Sequence, residues 1–118
     1  MSRSTRHRLI DIIEKIEVVK KAESLLDEFE NGHRDTTVPI EAILYGLLVI
    51  GEAVKALPPE VRNRRTDIPW SAIAALRDIL AHEYFAVNRE VIHRTLDEPI
   101  DQLLMACQEL LESLADEG

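Results

Sequence analysis

The sequence predicts an all-α protein, an up-and-down bundle of four or five helices forming a single domain over residues 1–118. Glycine and proline are scarce, with four and five copies, which favours helices over a sandwich or barrel. Apolar residues recur at three- and four-residue steps through most of the chain, as in amphipathic helices. Hydrophobic residues make up 46% of the 118, enough for one core and too few for two.

The first two helices are defined by their ends. The first is predicted from Thr5 to Glu30, and Asn31-Gly32 is expected to end it in the left-handed conformation. The second is predicted to open at Thr36 or Thr37, with Pro39 in its first turn and Glu41 available for a capping box, and Pro58-Pro59 ends it. The apolar stripe of the first helix consists of Leu9, Ile12, Ile13, Ile16, Val19, Leu26 and Phe29.

The middle of the second helix, Ala42 to Gly51, is apolar nearly all round. A surface helix of a monomer has a polar face, so this helix is predicted to be central in the bundle or shared with a partner subunit. Gly46 and Gly51 lower its helix propensity, and a close approach of two backbones is one reason to tolerate them.

Two further helical stretches follow a connection over residues 60–69. The third helix is predicted from Trp70 to Tyr84, with Pro69 at its first position and Trp70 anchored in the core. A fourth follows Asn88 as its cap, and Pro99 bends or restarts it. The inner faces are expected to consist of Trp70, Ile73, Ala74, Leu76 and Leu80, and of Ile100, Leu103, Leu104, Cys107, Leu111 and Leu114.

Composition excludes several classes of protein. The single cysteine, Cys107, leaves no internal disulfide and no Cys-based zinc site. The run from Ala42 to Gly51 has about half the length of a bilayer crossing, and residues 1–10 lack the apolar segment of a secretory signal. A soluble, cytoplasmic protein without a membrane partner is therefore expected. Its net charge of -8 makes the average surface repel polyanions.

Positive charge is concentrated in one segment. Residues 62–94 hold six arginines and four acidic residues, a balance of +2, whereas the rest of the chain has a balance of -10. A polyanion would be attracted there, and the candidates for RNA contacts are Arg62, Arg64, Arg65 and Arg89. Two alternatives stay open: the arginines balance neighbouring acids, or they contact an acidic patch of a partner protein.

The segment with the clearest chemistry runs from Arg77 to Phe85. Asp78 and His82 are four residues apart, so on a helix the carboxylate can orient the imidazole. Arg77 lies roughly 140° from His82 around an ideal helix, so two copies facing each other would bring them together. An imidazole that moves the 2′-hydroxyl proton and a guanidinium that stabilises the phosphorane would cleave RNA. From periodicity alone the favoured alternative is that His82 caps a helix end and Arg77 pairs with an acid.

Three motifs together resemble the HepT-like family of HEPN-domain proteins. They are Ile50-Gly51-Glu52-Ala53, Ile68-Pro69-Trp70 and Arg77-x4-His82-x-Tyr84-Phe85, which stand at the family's distances from one another. The similarity extends from about Asp11 to Leu104. Asp78 stands where Asn is commoner in the family, and His93 where an aromatic residue is common.

The resemblance implies a homodimeric, metal-independent endoribonuclease that acts as the toxin of a toxin–antitoxin pair. In that family pattern Arg77 and His82 are catalytic, Asp78 supports them, and no cofactor is bound. The implied partner is a minimal nucleotidyltransferase of the MntA type, which transfers AMP to the tyrosine of the motif, Tyr84. The added bulk and negative charge would exclude an RNA phosphate.

Other functions compete with this interpretation. The chain could be a non-catalytic helical partner, such as a substrate-binding subunit of a nucleotidyltransferase, or a plain scaffold dimer. Toxicity on solo expression, relieved by co-expression with the partner, would separate the ribonuclease from both.

A metal site is not expected. The two Glu-x-x-His pairs, Glu30/His33 and Glu90/His93, lack the two further inward glutamates that a di-iron bundle needs.

Overall fold

The computed structural model describes residues 4–83 and 98–117, and this part of the chain contains five helices. They are α1 (Thr5–Asn31), α2 (Thr37–Lys55), α3 (Pro59–Arg62), α4 (Trp70–Glu83) and α5 (Glu98–Glu117). No strand occurs among the described residues, so the predicted all-helical class is confirmed. The single-turn α3 starts at Pro59, which is predicted to end the second helix, and continues into the segment predicted as a connection, because proline suits the first position of a helix. The homodimer stays a prediction.

Helix α1 ends one residue later than predicted, and a different residue therefore has the left-handed backbone conformation that follows the helix. Gly32 has φ -90°, so the expectation that Asn31-Gly32 provides the left-handed stop is wrong; His33 has φ 55° instead. The His33 amide donates to Glu30 O at 3.1 Å, and the Arg34 amide donates to Phe29 O at 2.8 Å. This pair of bonds is a Schellman motif with histidine at the position that glycine usually occupies.

We expect His33→Gly to stabilise the fold by about 0.5–1 kcal/mol, because glycine adopts positive φ without the steric penalty of a Cβ atom. The midpoint of urea unfolding measures the change. Gly32→Ala is the matched control, since its φ is -90° and an added Cβ would lie 3.5 Å from its nearest neighbour, Glu28 O. A lower midpoint for His33→Gly would contradict the assignment of strain to this residue.

Helix α2 opens at Thr37, as predicted, but a different residue caps it. The Thr36 side chain makes no capping bond, so the expected capping box with Glu41 is wrong. Asp35 Oδ1 instead accepts from the Thr37 amide at 2.9 Å and from its hydroxyl at 2.6 Å. These bonds lower the pKa of the exposed Asp35 carboxyl. An ionised aspartate competes well for the free amides of a helix start, which is why it displaces the threonine.

Helix α2 lies at the centre of the bundle, packed against α1 and α4, and α1 also packs against α5. The buried residues of its middle are Ile43, Leu44, Gly46, Leu47, Ile50 and Gly51. The central position therefore accounts for most of the apolar run without a partner subunit. Among the described helices, α2 alone is long and apolar enough to cross a bilayer, a test of length and composition that a buried core helix also passes.

Helices α4 and α5 bury the faces that the sequence predicts, with two additions. Trp70 is buried as expected, and its indole N–H donates to Arg65 O at 2.8 Å. Cys107 is a core residue, and burial raises the pKa of its thiol to about 12. Ala106 and Leu110 of α5 are also buried, beyond the predicted stripe. Residues 84–97, which include the predicted cap Asn88, lie outside the described residues.

Candidate active site

The position of Arg77 is set by a close contact between two helix backbones. Gly51 of α2 faces α4 so closely that a Cβ atom on it would lie 2.9 Å from Arg77 N and 3.2 Å from Ile73 O. Only a residue without a side chain permits this approach. The close backbone approach expected of Gly51 is therefore confirmed, and it lies directly behind the arginine of the motif.

The Arg77 guanidinium is held by two carboxylates. Its Nη1 donates to Asp78 Oδ1 at 3.1 Å, and its Nε lies 3.8 Å from Glu52 Oε1. The arginine side chain is 37% exposed, so a ligand can still reach it from solvent. The alternative in which Arg77 pairs with a nearby acid is thus present in the structure, and it does not remove Arg77 from the surface.

Glu52 is the residue of this site that the helical pattern does not identify. It appears in the sequence only within the Gly51-Glu52-Ala53 motif, with no spacing that connects it to Arg77. The signal is indirect: glycine at position 51 indicates a close approach of two helices, and the next residue then lies beside the facing helix. A charged residue after such a glycine is a candidate partner for an oppositely charged side chain there.

The described residues bring together only part of the predicted motif. Asp78, expected to orient His82, bonds to Arg77 through Oδ1. His82 lies in the last turn of α4, and its imidazole is outside the described atoms. Tyr84 and Arg89 lie outside the described residues altogether. The catalytic pairing of Arg77 with His82 and the role of Tyr84 therefore stay predictions.

The arginines before α4 differ in their contacts. Arg65 Nε and Nη2 bond to the two carboxylate oxygens of Asp67 at 3.0 and 2.9 Å, and Arg65 Nη1 pairs with Glu109 of α5. The hydrogen bonds between Arg65 and Asp67 raise the pKa of Arg65 and lower that of Asp67. Arg64 Nη1 donates to Ser113 Oγ at 3.1 Å. Both side chains fasten the segment before α4 to α5, whereas Arg62 has no such bond among the described residues.

The described residues contain no group of three or more His, Cys, Asp or Glu side chains that could hold a metal ion. Within the first Glu-x-x-His pair, α1 ends before His33, and the left-handed backbone of His33 breaks the helical spacing of the two side chains. The second pair, Glu90 and His93, lies outside the described part of the chain.

The chain is similar to known proteins over most of its length. The model of a protein family described as "Ribonuclease HepT-like" matches residues 9–110. "Putative RNase TTE0752" of Caldanaerobacter subterraneus subsp. tengcongensis is 40% identical over 84 residues, covering 71% of this chain and 74% of that protein. "Probable ribonuclease HepT" of Thermococcus cleftensis is 35% identical over 103 residues, covering 87% and 92%. No solved structure matches the chain significantly.

Proposed function

Because this chain belongs to the HepT-like family of ribonucleases, we propose that it is a metal-independent endoribonuclease with Arg77 and His82 as its catalytic residues. The observation that carries the proposal is the setting of Arg77. Gly51 lets α4 pack tightly on α2 at this residue, and the guanidinium remains 37% exposed beside Asp78 and Glu52. A fixed backbone and an accessible cation are what the binding of a phosphodiester requires.

The reaction needs one proton-transfer group and one cation. His82 accepts the proton of the ribose 2′-hydroxyl, whose oxygen attacks the adjacent phosphorus. The bond from phosphorus to the 5′-oxygen breaks, and that oxygen takes up a proton from solvent water, which leaves a 2′,3′-cyclic phosphate and a 5′-hydroxyl. His82 returns its proton to the solvent. Arg77 stabilises the negative charge that develops on the phosphorane oxygens. Asp78 supports this geometry through its bond to Arg77 Nη1.

The two carboxylates beside Arg77 determine how RNA enters. Asp78 and Glu52 are 54% and 64% exposed, so water screens their interactions with the guanidinium. A phosphate therefore competes with weak surface ion pairs for the arginine. The separation of 3.8 Å to Glu52 leaves room for this exchange. The net charge of -8 confines binding to such local cations.

We expect the active protein to be a homodimer with the site at a cleft between the two copies. On an ideal helix Arg77 and His82 point roughly 140° apart, so one copy does not bring both to one phosphate. Ile79, between them in the sequence of α4, is 45% exposed. An exposed apolar side chain within the motif supports burial against a second copy.

We further expect the protein to be the toxin of a toxin–antitoxin pair, inactivated by its partner. A nucleotidyltransferase of the MntA type would transfer AMP from ATP to the hydroxyl of Tyr84. That residue lies two positions after His82, so the new phosphate would add negative charge next to the catalytic groups. Repulsion and bulk would both exclude an RNA phosphate from Arg77.

The test is an RNA-cleavage assay on purified protein, with mass spectrometry to establish whether Tyr84 carries AMP. We expect the unmodified protein to cleave RNA equally well with and without a chelator. Treatment with the nucleotidyltransferase and ATP should remove the activity, and Tyr84→Phe should resist that treatment. Loss of cleavage on chelation would contradict the metal-independent mechanism.

A non-catalytic binding partner of the nucleotidyltransferase is the second candidate function. The observation that favours it is the pairing of Arg77 with two carboxylates, which offsets the only cation of the described motif. In that case the unmodified protein should form a complex with the nucleotidyltransferase and cleave no RNA.

A further inference from the structure

A second cationic surface lies next to the proposed active site. A shallow open groove runs between the end of α2, the short α3 and one face of α4. It is lined by Lys55, Arg62, Ser71, Ala74, Ala75 and Asp78. Asp78 belongs to the groove and also bonds to Arg77, so the groove is continuous with the arginine of the motif. We call it the Lys55–Arg62 groove.

Arg62 contributes to this groove a buried polar atom that lacks a partner. Its Nε is buried and makes no hydrogen bond among the described residues. A buried N–H of a charged group without an acceptor is unfavourable, and native proteins supply such donors with a water, an ion or a ligand. Arg64 and Arg65, close in sequence, both bond to side chains of α5. In the described part of the chain, Arg62 is therefore the arginine of this segment that is not fastened to α5, and its side chain is only partly buried.

The other polar groups of the groove suit an anion. Lys55, in the last turn of α2, is exposed and has no carboxylate within ion-pairing distance among the described residues. Ser71 adds a hydroxyl donor from the first turn of α4. Asp78 is the one acidic residue lining the groove, and its carboxylate pairs with Arg77. Two cations and a hydroxyl outnumber this one carboxylate, so the groove has a positive balance of charge that favours a phosphate.

On this basis we propose that the Lys55–Arg62 groove binds a phosphate of the RNA backbone other than the one that is cleaved. The inference rests on the proposed ribonuclease function and identifies how its substrate is held. Ser71, at the end of the groove away from Asp78, lies six residues before Arg77, about 9 Å along the helix axis, so a phosphate bound beside Ser71 is not the one held by Arg77. Such a contact positions the strand without reading its sequence.

The test measures binding of a labelled single-stranded oligoribonucleotide to His82→Ala protein, which does not consume it. Lys55→Gln with Arg62→Gln should weaken binding about tenfold and reduce the slope of log Kd against log salt by about 0.7. Lys55→Gln alone, an exposed substitution that leaves the core intact, should weaken binding about threefold. Lys21→Gln, which removes the same charge from the exposed surface of α1, should change neither value.

The outcomes separate this inference from the ribonuclease function. An unchanged Kd and salt slope in the double variant, or no binding by the parent protein, would overturn the groove while wild-type cleavage still supported the nuclease. Absence of wild-type cleavage, with RNA binding that depends on Lys55 and Arg62, would overturn the nuclease and leave the groove. If the double variant lost only its affinity for the nucleotidyltransferase, the groove would be a protein contact and the proposal would be wrong.

Discussion

Replacing His82 by alanine should lower the rate of RNA cleavage by at least about a hundredfold, because the 2′-hydroxyl then has no group to accept its proton. Arg77→Ala should have a loss of similar size, since the charge of the phosphorane is no longer stabilised. Arg77→Lys should recover only part of the rate, because an ammonium lacks the two parallel donors of a guanidinium. Single-turnover cleavage of one oligoribonucleotide measures all three.

The same two variants test whether the site is shared between copies. If each site takes Arg77 from one copy and His82 from the other, co-expressed Arg77→Ala and His82→Ala chains should recover about a quarter of the wild-type activity. Half of the dimers are then mixed, and each mixed dimer has one intact site of two. A site within one chain predicts no recovery. His7→Ala, an exposed histidine near the start of α1, is the control and should retain the wild-type rate.

Equal cleavage by His82→Ala and wild-type protein would contradict the catalytic role of His82 and indicate a contaminating nuclease. A loss for His82→Ala without a loss for Arg77→Ala would confine the chemistry to the histidine. In that case the ion pairs of Arg77 with Asp78 and Glu52 would be structural, as the sequence pattern alone favours.

The sequence predicts the helices well because a helix with one buried face has apolar residues at every third or fourth position. The stripe of α1 and the face of α4 follow the three- and four-residue steps, and their buried members include Leu9, Ile12, Ile73 and Leu80. Gly51 was informative for a related reason: glycine inside an apolar helix has few explanations besides a close approach. Both signals come from packing within or directly against one helix.

The structure differs from the sequence-based prediction where a shift of one residue at a helix end, or a contact between distant residues, determines the local structure. An end of α1 one residue later moves the left-handed position from Gly32 to His33, and helix ends are less strongly encoded than helix interiors. The pairing of Arg65 with Glu109 joins positions 44 residues apart, which no local pattern reports. Arg62, Arg64 and Arg65 therefore differ in contacts that the sequence does not report: Arg64 and Arg65 bond to α5, whereas the Arg62 Nε has no hydrogen bond among the described residues. Their RNA contacts stay a prediction.

The second large effect is expected from Gly51→Ala, which should destabilise the protein by up to about 2 kcal/mol and also lower cleavage. A Cβ atom would lie 2.9 Å from Arg77 N and 3.2 Å from Ile73 O, and these backbone atoms cannot rotate away as a side chain could. Overpacking of this kind costs about 1–3 kcal/mol, from which the higher helix propensity of alanine, about 1 kcal/mol, is subtracted. Urea unfolding and kcat/KM on the same preparation measure both effects.

The activity loss should exceed what unfolding explains, because the substitution pushes α4 away from α2 at the catalytic arginine. Under conditions where both proteins are fully folded, kcat/KM should still fall, since Arg77 moves relative to Glu52 and to the RNA. Gly32→Ala is the control, because its nearest contact at 3.5 Å is ordinary and it lies outside the proposed site. A Gly51→Ala protein with wild-type stability and wild-type kcat/KM would mean that α4 can shift freely, and that Gly51 does not position Arg77.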